Sequence, residues 1–214
     1  MGVDPLDFCR NRLPAIFDET VARLREQAQQ GDAGLRAAFE AGSEVPVTSR
    51  VRLTGAGGGE LLLVLAGETL SVREPAEGAP GDFGYALSVP TAVAAHVLSR
   101  TQAGGEEAER LARALSVLAS RAAVSAFGER PFELEASVRR VPVLGDVRVQ
   151  ASLGRPALSA PQFMLAVEYD ELADAIEQGV SPHELFFAGK LEMDGDVSRA
   201  MLLGMTLAQL AGGR

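Results

Sequence analysis

The chain has 214 residues, 47% of them hydrophobic, and a formal net charge of −9. This length suits one larger domain or two small ones. The negative charge argues against a large phosphate-neutralising surface, so we expect no nucleic-acid partner. It also disfavours docking on anionic lipid headgroups, which limits membrane contact to a transient one at most. No apolar run approaches the roughly 20 residues that cross a bilayer.

The single cysteine, Cys9, rules out an internal disulfide. The opening residues lack the basic start and apolar stretch of a signal peptide, and they lack a myristoylation motif. We therefore expect a protein of the reducing cytoplasm.

The first hundred residues predict helices that flank a group of strands. Apolar residues recur at helical spacing from Pro14 to Gln30, and Asp32 is placed to cap a shorter helix that runs to Gly42. Alternation then predicts strands over residues 45–53, 60–66, 69–73 and 83–89. Pro90 lies near the first turn of a helix that continues to Arg100.

The segment from Gln102 to Gly105 is the predicted boundary, which divides the chain into halves 1–104 and 105–214. A long helix from Glu106 to about Ala126 follows it. Strands are predicted over 132–138 and 146–152, for a short stretch after Gly154-Arg155 and over 163–168, with a helix over 170–178. Hairpin-linked strands, a loop, a strand and a helix therefore occur twice. Either the halves are a degenerate duplication, or an antiparallel α+β chain repeats this pattern by chance.

The second half continues where the first does not. Residues 181–184 form a capping box with Ser181 as N-cap, and the short helix it opens ends at Gly189. Residues 190–194 then predict a brief strand. Gly195-Asp196 turns the chain into a final helix from Val197 to Leu210.

Two runs in this stretch, FFAGKLEMDGD from Phe186 to Asp196 and AMLL from Ala200 to Leu203, carry a family resemblance. In order and spacing they resemble the signature that ends sterol carrier protein two domains. There, a helix with two aromatics leads through Gly-Lys-Leu, a short strand and a Gly-Asn or Gly-Asp turn into a helix near Ala-Met-x-Leu. The resemblance is specific over residues 162–210 and extends back to about residue 106.

The sequence departs from the family pattern in three ways. It has no tryptophan, and Glu192 and Asp194 stand where lysine or neutral residues are common. Its last residues, Gly-Gly-Arg, are not a peroxisomal address. These departures concern the ligand and the mode of membrane docking rather than the fold.

The resemblance implies an α+β fold in which helices cover a mainly antiparallel sheet. The domain would be sterol-carrier-like over 105–214, with a degenerate copy over 1–104. It also implies a tunnel between the sheet and the last helix that holds a fatty acyl chain or a sterol-like body. The side chains expected to line this tunnel are Phe163, Leu165, Ile176, Phe186, Phe187, Met193, Met201 and Met205.

The last helix supports this expectation by its own composition. Its apolar residues cover more than half of the circumference, whereas an ordinary surface helix needs a stripe only about 100° wide. The excess must be covered by core, by a partner or by a ligand. Met201 and Met205 are unbranched and adaptable, which suits a surface that accepts variable apolar shapes. Each residue taken singly is more often part of a core than a ligand contact.

No catalytic or metal-binding constellation is evident. His96 and His183 have no second histidine or cysteine nearby, and no nucleophile motif surrounds Cys9. The acids at 170, 171 and 174 lie in the first turns of a helix, where they complement its dipole. We therefore expect a protein that is not an enzyme and has no cofactor and no metal.

Three functions are weighed. The leading one is non-enzymatic binding or carriage of an apolar lipid-like ligand. The alternative is a protein–protein interaction module that keeps the fold but fills the cavity with side chains. A third is an accessory domain that presents a bound lipid to a separate enzyme. An open apolar cavity would favour the first function, and a solid interior with an exposed apolar patch would favour the second.

Overall fold

Period-two alternation and amphipathic helical stretches set the elements of the fold. A computed structural model describes residues 3–31, 46–75, 84–101, 105–178, 180 and 182–211. The helices of this part are α1 (Pro5–Asn11), α2 (Leu13–Gln29), α3 (Thr91–Thr101), α4 (Glu106–Leu118), α5 (Arg121–Glu129), α6 (Tyr169–Gln178), α7 (Pro182–Phe187) and α8 (Val197–Ala211). Its strands are β1 (Val47–Thr54), β2 (Gly59–Ala66), β3 (Thr69–Arg73), β4 (Gly84–Pro90), β5 (Phe132–Val141), β6 (Gly145–Leu153), β7 (Phe163–Glu168) and β8 (Leu191–Gly195).

The predicted cap at Asp32 with its helix to Gly42, the boundary residues 102–104 and the cap at Ser181 lie outside the described residues. The short helix α1 was not predicted. It begins at Pro5, directly after Asp4, whose side chain accepts hydrogen bonds from the N–H groups of Leu6 and Asp7.

All eight strands belong to one sheet, in the order β3-β2-β1-β4-β6-β5-β7-β8. Five of the seven pairings are antiparallel. The pairs β1–β4 and β5–β7 are parallel. The predicted α+β class with a mainly antiparallel sheet is therefore confirmed.

The helices pack on one face of this sheet. Register pairs place Leu61, Tyr85, Phe132 and Phe163 on that face, where they join the main apolar core with α2, α5 and α8. The opposite face carries charged residues such as Arg139. The alternation is incomplete, because the register pairs Ala86–Ser152 and Glu133–Ser152 place three buried residues on this opposite face.

The long helix predicted from Glu106 to Ala126 is two helices instead. Ser120 is extended, with φ −70° and ψ 152°, and its Oγ accepts a hydrogen bond from the N–H of Ala123 at 3.2 Å. A serine side chain that bonds the backbone in this way begins a new helix rather than continuing the old one. Because of this break, α4 packs on α2 while α5 packs on α8.

The short third strand predicted after Gly154-Arg155 is also wrong, because residues 154–157 form bends. The outer edge of β6, where such a strand would have paired, is taken by β4 through the register pairs Tyr85–Leu153 to Ser88–Gln150. A strand from the first half therefore occupies the position expected for a strand of the second.

One local topology occurs in both halves. β1 pairs with β2 antiparallel and with β4 parallel, and α3 follows β4. β5 likewise pairs with β6 antiparallel and with β7 parallel, and α6 follows β7. This repetition agrees with the duplication hypothesis, and the division at residue 104 stays a prediction.

The chain leaves the sheet after β6 at Gly154, which has φ +99°. A Cβ atom at this position would lie 2.2 Å from the carbonyl oxygen of Phe127 in α5. The N–H of Gly154 donates to the carbonyl oxygen of Gly84 at 3.0 Å. Only glycine fits both this backbone conformation and this close approach.

We predict that Gly154→Ala lowers the free energy of unfolding by about 2 kcal/mol or more, because the added methyl group must push α5 away from the sheet. Urea denaturation followed by circular dichroism measures the change. Gly204→Ala is the matched control, since an added Cβ there meets nothing within 4 Å inside α8. The control should leave the free energy of unfolding unchanged or raise it by up to about 1 kcal/mol. Equal effects of the two variants would contradict the steric argument.

We further predict that a fragment of residues 1–104 shows no cooperative thermal transition. Without the second half, β4 loses its pairing with β6 and α2 loses its packing on α4. A thermal scan of the fragment beside the full chain, followed by circular dichroism, tests this. A sharp transition in the fragment would show that the first half folds independently.

Candidate functional site

The apolar residues under the C-terminal helices form two groups. Ala200 and Leu203 of α8 belong to the main core. A smaller group under α6 and α7 consists of Val167, Ala175, Leu185 and Leu191. Leu165 on β7 and Met193 on β8 pack against both groups, and both are only half-buried. We call the strip of sheet between α8 and the α6–α7 pair, with Leu165 and Met193 as its floor, the seam.

The end of α7 is set by local hydrogen bonds. Gly189 has φ +70°, its N–H donates to the carbonyl oxygen of Phe186, and the N–H of Lys190 donates to that of Leu185, both at 2.9 Å. This pair of bonds is the Schellman arrangement that ends a helix at glycine. It turns the chain directly into β8, so α7 lies against the edge of the sheet.

The start of α8 is fixed over the beginning of β7. A Cβ at Gly195 would lie 2.7 Å from the carbonyl oxygen of Gln162, so a side chain there would prevent this contact. The N–H of Asp196 donates to the same oxygen at 3.0 Å, and the Oδ1 of Asp196 accepts from the N–H of Arg199 at 3.0 Å. The cap that the sequence predicts therefore also anchors the helix to the sheet.

The eight residues predicted to line the tunnel lie in different environments. Phe163 is 1% exposed and belongs to the main core. Four of them are half-buried: Leu165, Phe186, Met193 and Met201. Phe187 and Met205 are 69% and 56% exposed. The side chain of Ile176 lies outside the described part of the structure. Their role as ligand contacts stays a prediction.

The two aromatics of α7 differ in burial although they are adjacent. Their ring centroids are 5.6 Å apart in an edge-to-face arrangement. Phe186 packs against the smaller apolar group, whereas Phe187 projects into solvent. An exposed phenylalanine at the end of a short helix was not foreseen, because a predicted helix boundary does not fix its rotation over the sheet.

Charge pairs cover the open face of the sheet behind the seam. Arg139 of β5 donates from Nη1 to Oε1 of Glu192 on β8 at 3.0 Å, and Arg140 donates from Nε to Glu168 at 2.6 Å. The hydrogen bond and positive charge of Arg139 lower the pKa of Glu192. Glu192, one of the departures from the family pattern, therefore has a cationic partner. Directly before β8, hydrogen bonding to Glu171 raises the pKa of Lys190.

A polar cleft of about 360 Å³ lies at the start of β5 and α8, beside the end of α5. Its lining residues are Glu129, Arg130, Pro131, Glu133, Arg155, Ser159, Ala160, Gln162 and Arg199. It does not coincide with the predicted apolar tunnel. None of these residues was singled out in the sequence as functional, because three separate segments and a helix terminus meet there only in the folded chain.

The described residues offer little for other chemistry. They contain no group of three or more histidine, cysteine, aspartate or glutamate side chains that could hold a metal ion. Cys9 is buried, and this burial raises its thiol pKa to about 11. The thiol is therefore protonated at neutral pH and is a poor nucleophile. No helix in the described ranges is both long enough and apolar enough to span a membrane.

We predict that the most buried and the most exposed of the predicted tunnel residues respond differently to replacement by alanine. Phe163→Ala should lower the free energy of unfolding by about 3–5 kcal/mol, because it leaves a cavity in the core. Phe187→Ala should change it by less than about 1 kcal/mol, since most of that ring already contacts water. Urea denaturation of both variants measures the difference. Comparable losses would mean that Phe187 is covered in solution.

Comparison with known proteins bears on these elements directly. A search of curated proteins gives no match to the chain. The family model described as the SCP-2 sterol transfer family matches residues 111–208, a little under half of the chain. The matched segment contains the seam, the polar cleft and strands β5 to β8. It confirms the resemblance found in the sequence: the C-terminal part of this chain matches the SCP-2 sterol transfer family.

Proposed function

We propose that the C-terminal half, residues 105–214, binds an apolar lipid-like ligand, a fatty acyl chain or a sterol-like body, without catalysis. One observation carries the proposal: on the helix-covered face of the sheet, Leu165 and Met193 lie between two apolar groups and stay half-buried. The match of this segment to a sterol transfer family supports the same function.

The free energy for such binding would come from the apolar surface that the seam leaves in contact with water. Each square ångström of apolar surface covered contributes about 25 cal/mol. The floor side chains Leu165 and Met193 are apolar, so a ligand would be held by burial and shape. Methionines at 193, 201 and 205 have flexible, unbranched chains that adapt to ligands of different outline.

Entry of a ligand would require a change at the contact between α7 and α8. α7 has only six residues, and a helix this short depends on tertiary packing for its stability. A small displacement of α7 away from α8 would widen the seam. The exposed Phe187 and Met205, one on each helix, would then meet a ligand that passes between them.

The exposure of these two side chains also favours the second candidate, an interaction module. A partner protein could cover Phe187 and Met205 as readily as a ligand could, because exposed apolar surface is typical of binding surfaces. The candidates differ in what covers the apolar surface: a small apolar molecule enters the seam, whereas a partner stays outside it.

We predict that Met201→Asp keeps the fold but weakens binding of a fluorescent fatty-acid or sterol analogue at least tenfold. Met201 is half-buried, so a carboxylate at this position keeps some contact with water in the free protein. A bound apolar ligand would cover that carboxylate, which costs several kcal/mol. Circular dichroism and fluorescence titration together measure fold and binding.

Ser198→Asp is the matched control, since it places the same charge at an exposed polar position of α8. It should leave binding unchanged. Loss of the fold in Met201→Asp would assign Met201 to the core, and an intact fold with unchanged binding would place the ligand elsewhere. Wild-type protein that binds no apolar probe, and carries no lipid in native mass spectrometry, would favour the interaction module.

A further inference from the structure

The polar cleft is lined by five charged residues, three arginines and two glutamates. Arg130, Arg155 and Arg199 line it together with Glu129 and Glu133. None of the five forms an ion pair with another residue in the described ranges. Opposite charges that share a cleft without pairing leave donors and acceptors available to a third group.

Glu133 is the most unusual of these residues because it is 6% exposed. One carboxylate oxygen accepts a hydrogen bond from Oγ of Ser152 at 2.9 Å. The other, Oε2, is buried and accepts no hydrogen bond from the described residues. A buried acceptor without a donor is costly, and the cost is larger for a charged group. A ligand that donates a hydrogen bond to this oxygen would remove that cost.

Arg199 offers the opposite chemistry from a fixed position. Its Nη2 donates to the carbonyl oxygen of Pro131 at 2.7 Å, and its guanidinium carbon lies 5.4 Å from the ring centroid of Phe132. Its Nε is buried and donates to no described residue. A guanidinium held in this way has a fixed position, and guanidinium groups match the oxygens of a phosphate group.

The backbone around the cleft is tied together by Gln162. Its N–H donates to the carbonyl oxygen of Glu133 at 2.8 Å, and its own carbonyl oxygen accepts from the N–H of Asp196 at 3.0 Å. β5, β7 and the start of α8 are thereby held in one arrangement. A site organised before binding loses less free energy to ordering when its ligand arrives.

We propose that this cleft binds a phosphate ester that carries a primary ammonium group, as in phosphoethanolamine. The three arginines would hold the phosphate. The Glu133 carboxylate would turn toward the cleft, so that its unpaired oxygen, buried in the free protein, accepts a hydrogen bond from the ammonium. A phosphate alone would leave this carboxylate without a donor and beside a second negative charge. The volume of about 360 Å³ lies within the range of small-molecule sites. The ligand is either a free small molecule or a lipid headgroup, and the cleft is separate from the seam.

Isothermal titration calorimetry with O-phosphoethanolamine, phosphocholine and inorganic phosphate tests the proposal on the wild-type chain. Phosphoethanolamine should bind at least tenfold more tightly than the other two. Phosphocholine has the same phosphate, but its quaternary ammonium has no N–H to donate to Glu133. Equal binding of the three probes would overturn the proposal. So would a protein that binds neither phosphoethanolamine at millimolar concentration nor vesicles that contain phosphatidylethanolamine.

Variants then test the named residues. Arg130→Gln and Arg155→Gln alter exposed side chains and should each weaken phosphoethanolamine about tenfold or more. Arg148→Gln removes the same charge from an exposed position of β6 outside the cleft and should have little effect. Equal weakening by all three variants would reduce the interaction to general charge attraction and would contradict the site.

Glu133→Gln keeps an acceptor for Ser152 and should remove the preference for phosphoethanolamine over phosphocholine. If this variant does not fold, the comparison of the three probes on wild type still decides the role of the ammonium.

Sedimentation with phosphatidylcholine vesicles, with and without phosphatidylethanolamine, separates the two ligand sources. Binding only to vesicles that contain phosphatidylethanolamine identifies a headgroup, and binding of the soluble probe alone identifies a free molecule; either supports the proposal. Apolar probe binding at the seam should be unchanged in Arg155→Gln.

Discussion

The pairing of β4 with β6 is the interaction on which the rest of the structure depends. It joins a strand of the first half to a strand of the second through backbone hydrogen bonds, and it makes one sheet of the two halves. The core crosses the same junction, because the ring of Phe127 in α5 contacts both Tyr85 of β4 and Phe132 of β5. Both pairs are edge-to-face, with 6.1 Å between ring centroids. The helices of both halves therefore pack on a common face.

The start of β7 brings an apolar and a polar feature close together in the second half. Gln162, just before β7, borders the cleft. In β7, Phe163 is buried in the core and Leu165 reaches the seam. At about 3.3 Å per residue, the two features are only about 10 Å apart along the strand. A buried aromatic residue stands between them. The polar chemistry of the cleft and the apolar surface of the seam are therefore separated, and each can be altered without the other.

Much of the fold could be predicted from the sequence because its signals are local. Alternation predicted seven of the eight described strands to within a few residues. The eighth, the brief strand β8, was predicted from the turn that follows it. The helix α7 ends at Gly189 through hydrogen bonds to residues within a few positions. The helix α8 begins at Asp196, which forms hydrogen bonds with Arg199 and with Gln162 beside β7. Where the partner of a backbone group lies nearby in the chain, the residue type alone indicates the bond.

The sequence by itself therefore determined the fold class, most of the elements and the family resemblance of the C-terminal half. Tertiary structure decided the break at Ser120, since the two helices it separates pack on different partners. It also decided the loss of the strand after Gly154, because β4, distant in the chain, takes the edge of β6. The burial of Glu133 and the cleft around it likewise arise where remote segments meet. The physical reason is that periodicity and capping act over a few residues, whereas strand neighbours and burial depend on contacts between segments far apart in sequence.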